Sequence, residues 1–118
     1  MSNEVRVGLI GPGAAADFVY LQNIQNHPRA TVTAICGRTT QRTKEIAAKY
    51  RVDQSYTDPE KMLQEAGLDA VLISTGDELH YPMAMLALDA GVHVACEKPL
   101  ALNAEQAEQM YSQPVLSW

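Results

Sequence analysis

Apolar residues along this chain gather in short blocks, separated by longer stretches where they recur every three or four positions. Val5–Ile10 (VRVGLI) is apolar almost throughout, the pattern of a strand covered on both faces. Ala30–Cys36 (ATVTAIC) and Asp69–Thr75 (DAVLIST) share that character, Val92–Cys96 (VHVAC) is a shorter version, and QSYTD around Tyr56 predicts a brief third strand. Helical spacing fills the gaps. A helix is expected over about 14–26, stopped by Pro28, and another over Thr40–Tyr50 with Ile46, Ala47 and Tyr50 facing inward. Asp58 and Pro59 form an N-cap and first-position pair for a helix to Ala66, with Gly67 behind it. The next helix is predicted from about His80 to Ala90 with Gly91 just past its end, and the last from Asn103, with Gln106 three residues on.

Five β-α pairs in succession, with no repeat or low-complexity linker, predict a doubly wound parallel α/β sheet with right-handed crossovers and helices on both faces. Such sheets bind ligands at the C-terminal ends of their strands, where the strand order reverses. The residues after Ile10, Ile35, Ile73 and Ala95 are therefore the ones to read for chemistry.

Composition narrows the classes. The 118 residues suit one domain, and 47% hydrophobic content suffices for a core. A net charge of −5 argues against nucleic-acid or anionic-membrane partners. Cys36 and Cys96 form no CxxC pair and read as small core residues in a reducing compartment. His27 and His93 read as structural, and no histidine pair has metal-ligand spacing, so no metal is expected. MSNEVRV has no apolar segment of the signal-peptide kind and no run approaches a membrane span, so a cytoplasmic location is expected.

After the first strand, Gly11, Gly13 and Ala16 keep a G-x-G-x-x-A spacing between strand and helix. Gly11 permits a tight turn and Gly13 lets a pyrophosphate approach the backbone. The amides of the first helical turn, at Ala14 and Ala15, lie where the positive helix end would hold phosphates. Pro12 has no amide hydrogen and only stiffens the loop. The competing interpretation is a tight turn of small residues for packing.

After the second strand, an acidic residue about 20 positions beyond the glycines would mark NAD. Ala30–Arg42 contains no Asp or Glu; Gly37 leaves space, followed by Arg38, Thr39, Thr40 and Arg42. A guanidinium with hydroxyls suits a 2′-phosphate, which favours NADP over NAD, the alternative being two solvated arginines at a helix start.

The later strand ends carry a resemblance. Thr75, Gly76, Asp77 and His80, then Ala90-Gly91, His93-Val94 and Glu97-Lys98-Pro99, follow the order T-P-N-x-x-H, A-G, H-V, E-K-P. In this the chain, up to about Met110, is similar to the N-terminal half of the glucose–fructose oxidoreductase/inositol dehydrogenase family (Gfo/Idh/MocA). That resemblance implies a Rossmann domain and hydride transfer between NAD(P) and sugar-like or other small alcohol or carbonyl substrates. It places Lys98 by the nicotinamide ribose and the substrate oxygen, with Glu97 near the ribose or supporting Lys98, and Pro99 fixing the loop. His80 is the other candidate catalytic residue, and Ser74, Thr75 and Gly76 are expected on the cofactor side. Gly76-Asp77 departs from the family's Pro-Asn.

Residues 1–111 are thus expected to form the NAD(P)-binding domain, and 112–118 an apolar tail without family counterpart. The family's second α/β domain, which supplies most substrate contacts, is not expected within these residues. A small-molecule substrate would then require that domain, and bare surface beside an unpaired sheet edge favours a homo-oligomer. A dinucleotide-sensing module without catalysis is the alternative function.

Overall fold

The computed structural model describes residues 4–11, 21–96 and 101–111. Five parallel strands, β1 (Val5–Ile10), β2 (Ala30–Cys36), β3 (Gln54–Tyr56), β4 (Ala70–Ile73) and β5 (His93–Cys96), form one sheet in the order β3-β2-β1-β4-β5. The helices are α1 (Gln22–Gln25), α2 (Thr40–Lys49), α3 (Pro59–Glu65), α4 (Asp77–Asp89) and α5 (Ala104–Tyr111). The chain winds outward from β1 to β3, then returns to lay β4 on the other side of β1. The reversal of strand order therefore falls between the C-terminal ends of β1 and β4.

Two apolar clusters lie on opposite faces of the sheet, and the strand period of two distributes side chains between them. Leu9 and Ile35 join Leu21, Ile46 and Val52 under α1 and α2. Their neighbours Ile10, Ala34 and Cys36 join Met62, Ala84, Ala87 and Met110 under α3, α4 and α5. Continuous apolar strands are required because both faces are covered. Ile46 and Ala47 are buried as their spacing predicts, and Tyr50 packs partly buried against the same cluster.

Local signals explain most of the boundaries. The Asp58 carboxylate accepts a bond from the Glu60 amide at 3.0 Å, and Pro59 follows at the first helical position. Asn103 Oδ1 accepts from the Gln106 amide at 2.8 Å, while the Gln106 side chain accepts from the Leu102 amide at 3.2 Å. Gly91, at φ 75°, ends α4 with the Gly91 amide donating to Leu88 O and the Val92 amide to Ala87 O. The same pair of bonds ends α2, with Arg51 in place of glycine at φ 57°. Three differences stand out. α4 starts at Asp77 rather than His80, because Gly76 is already its extended N-cap residue and Asp77 and Glu78 suit a helix N-terminus. The β1–β2 register slips between Val7 and Gly8, leaving Thr33 as an extra residue of β2 whose buried hydroxyl has no partner. Ala95 of the edge strand β5 is exposed.

Candidate functional site

At the point where strand order reverses, backbone bonds extend the sheet by one residue past β1, β2 and β4. The Gly11 amide donates to Cys36 O at 2.9 Å, the Ser74 amide to Ile10 O at 2.8 Å, and the Gly37 amide to Tyr56 O at 3.0 Å. Gly11 has φ +91°, and a Cβ there would lie 2.8 Å from the Ser74 carbonyl carbon, the Ser74 oxygen and the Thr75 methyl. The β1 turn and the loop after β4 thus touch backbone to backbone. Only glycine satisfies both the dihedral and the contact.

Beside this contact opens a cleft of about 180 Å³, lined by Ile10, Gly11, Cys36, Gly37, Arg38, Thr57, Pro59, Thr75, Leu79 and Met83. Its walls come from the ends of β1, β2 and β4, the turn before α3, and one side of α4. Aliphatic and thioether side chains make up much of the lining, and Arg38 stands exposed among them. A cavity of about 150 Å³ suffices for benzene, so the cleft has room for one planar heterocycle.

Of the residues singled out in the sequence, Gly11, Gly37, Arg38 and Thr75 line this cleft. Ser74 contributes backbone against Gly11, and Gly76 caps α4. Thr39 is the N-cap of α2, its hydroxyl accepting from the Arg42 amide at 3.4 Å; both side chains are exposed on that first turn. His80 is 1% exposed, and its Nε2 lies 3.2 Å from Thr75 O. Gly13, Ala14, Ala15, Ala16, Glu97, Lys98 and Pro99 lie outside the described residues, as does the 112–118 tail.

Six lining residues were not anticipated as part of a site: Ile10 and Cys36, read as strand and core positions, and Thr57, Pro59, Leu79 and Met83. Thr57 and Pro59 follow β3, and the strand-end rule applied to that short strand would have found them. Leu79 and Met83 are one turn apart on α4, and a helix predicted to begin at His80 excludes the first of them. Among the described residues no group of three or more His, Cys, Asp or Glu is placed to hold a metal, and no helix is long and apolar enough to cross a membrane.

Cys36 forms part of the cleft floor. Burial, with a smaller contribution from the Asp58 carboxylate, pushes its thiol up to about 11 from an ordinary value of 9.0. The native state therefore holds this proton through the pH range in which the unfolded chain loses it. The resulting stabilisation, on the order of 2–3 kcal/mol, is present below pH 9 and is lost as pH rises toward 11. Denaturant melts of the parent and of Cys36→Ala at pH 8 and pH 10.5 are expected to show a shallower alkaline loss in the variant. Equal slopes would remove this thiol from the account.

A five-stranded parallel sheet in this order, with a positive-φ glycine at its reversal point, defines a Rossmann domain of the dinucleotide-binding class. Residues 5–113 match the Gfo/Idh/MocA oxidoreductase family, NAD-binding Rossmann fold, and the chain belongs to that family. It is 34% identical over 109 residues to D-glucoside 3-dehydrogenase of Escherichia coli, covering 92% of this chain and 31% of that protein. It is 32% identical to the NADP(+)-dependent scyllo-inositol 2-dehydrogenase IolU of Bacillus subtilis, with 92% and 33% covered. KijD10, a 3-ketoreductase from Actinomadura kijaniata solved with TDP-benzene and NADP, superposes with a TM-score of 0.87 at 33% identity, covering 93% of this chain and 34% of that one. The chain spans about a third of the length of the relatives it matches.

Proposed function

We propose that this chain is the NADP(H)-binding portion of an oxidoreductase that moves hydride to or from a CH–OH group of a sugar-like or other small alcohol or carbonyl substrate. The observation that carries the reading is the cleft beside Gly11, with Arg38 on its wall and no carboxylate in Ala30–Arg42. Its size and apolar lining suit an adenine ring, and the Arg38 guanidinium is assigned to stack on that ring or to bind a 2′-phosphate. Thr39 and Arg42 supply a hydroxyl and a second cation on the adjoining helix turn. The missing acid removes the repulsion that would reject a phosphate at the ribose. IolU and KijD10, both associated with NADP by name, are relatives consistent with this choice.

The pyrophosphate is assigned to the backbone amides of Gly13, Ala14 and Ala15 on the G-x-G-x-x-A spacing, since amides that open a helix favour anions. Bound nicotinamide would supply the hydride or accept it. Lys98, beyond the end of β5, is assigned the role of an ammonium that polarises a substrate carbonyl or steadies an alkoxide, with Glu97 and Pro99 aiming it. Substrates with ring CH–OH groups are suggested by the names of the inositol and glucoside dehydrogenase relatives.

Titration of the 118-residue chain with NADPH and NADH, followed by nicotinamide fluorescence, tests the cofactor. Weak binding is expected, with NADPH about tenfold tighter, a difference of about 1.4 kcal/mol. Tighter NADH binding would overturn the NADP assignment, and no binding of either would overturn the site. Mixed with simple aldoses or ketoses, the chain is expected to oxidise NADPH barely above background. Steady turnover would refute the view that acid/base groups outside these residues are needed.

A further inference from the structure

His80 lies in the second turn of α4, is 1% exposed, and is not among the residues lining the cleft. Its Nε2 sits 3.2 Å from the carbonyl oxygen of Thr75, five residues back in the loop that leads from β4 into the helix. A carbonyl only accepts, so Nε2 carries a hydrogen and donates it. Thr75 is a cleft residue, and its methyl and the preceding Ser74 carbonyl press on Gly11. At its other end the loop is held by the Ser74 amide on Ile10 O at 2.8 Å. The loop is thus pinned at two points: one belongs to the sheet, the other is His80.

We propose that His80 is a positioning residue. By holding the Thr75 carbonyl, it sets the wall of the cofactor cleft opposite Arg38, and it exchanges no proton with substrate. This rests on the assignment of the cleft to the adenosine of NADP(H). A ring so buried has no open path to a reacting oxygen, whereas its bond acts on the loop that shapes the cleft. Losing the donor leaves Thr75 O without this bond and lets the Thr75–Gly76 peptide rotate, so the wall would be ordered only on binding. That ordering cost falls on affinity.

The same geometry also suits a histidine that merely satisfies its own polarity in the core, and the two roles separate experimentally. His80→Gln keeps a donor of similar reach, His80→Asn is too short to meet Thr75 O, and His80→Leu has no donor. At a temperature where circular dichroism shows full folding, the NADPH Kd is expected to rise about tenfold in His80→Asn and His80→Leu, and to stay within about threefold of the parent in His80→Gln. In the ligand-free chain, amide hydrogen exchange over residues 75–79 is expected to quicken about tenfold in His80→Asn but not in His80→Gln. Equal Kd values in all variants, or equal losses in His80→Gln and His80→Asn, would overturn the proposal. If His80→Leu fails to fold, the Gln and Asn pair still decides. A parent chain that binds no NADPH, yet shows the exchange difference at residues 75–79, would sink the cofactor assignment while upholding the pin.

Discussion

Gly11→Ala is expected to lower stability by about 2–5 kcal/mol and to weaken NADPH binding at least about a hundredfold. Two costs add. A left-handed backbone costs an L-residue about 1–2 kcal/mol, and an overpacked contact about 1–3 kcal/mol more. The new Cβ would lie 2.8 Å from Ser74 backbone atoms, which cannot swing aside as a side-chain tip can. Ser74 is itself bonded to Ile10 O, so relief must come from parting β1 and the β4 loop at the point where the cofactor is assigned. Gly76→Ala is the control. There the nearest atoms an added Cβ would meet are the carboxylate end of the exposed Glu78, which can swing aside, so near-parental stability is expected. Urea unfolding midpoints and NADPH titrations of both variants provide the check. Parental values for Gly11→Ala would mean that the tight turn is dispensable.

Arg38→Asp is expected to weaken NADPH about a hundredfold while changing NADH by less than about fivefold. A charge-assisted bond to phosphate contributes about 1.5–3 kcal/mol, and a carboxylate at the same place adds repulsion. NADH has no 2′-phosphate to be repelled, and a carboxylate beside the ribose accepts from its hydroxyl. Arg38 is exposed, so the parental preference for NADPH should shrink as salt rises. Isothermal titration with both cofactors at low and high salt measures all of this. Equal losses for the two cofactors would assign Arg38 to adenine stacking instead.

The positions best anticipated from sequence are those controlled by near neighbours. β1 and β2 begin and end where their apolar runs do. Asp58-Pro59, Asn103 with Gln106, and Gly91 act as caps because each satisfies or terminates a helix using atoms within a few residues. The start of α4 at Asp77 was legible locally as well, since Gly76 as an extended N-cap followed by Asp77 and Glu78 suits a helix N-terminus. Thr33 as the extra strand residue and Arg51 at positive φ carry no local sign. Neither residue type is required by its conformation, and each is tolerated because surrounding packing holds it.

Periodicity and turn chemistry alone determined which segments are strands, which are helices, and that their alternation builds a parallel sheet. The same local pattern, with the E-K-P resemblance, pointed to a dinucleotide. Only the tertiary structure decided the order β3-β2-β1-β4-β5, the closure of Gly11 on Ser74, the gathering of Arg38, Thr57, Leu79 and Met83 around one cleft, and the burial of His80 against Thr75. The physical reason is that side-chain spacing fixes which face of an element turns inward, whereas the neighbour that face meets depends on how distant segments pack.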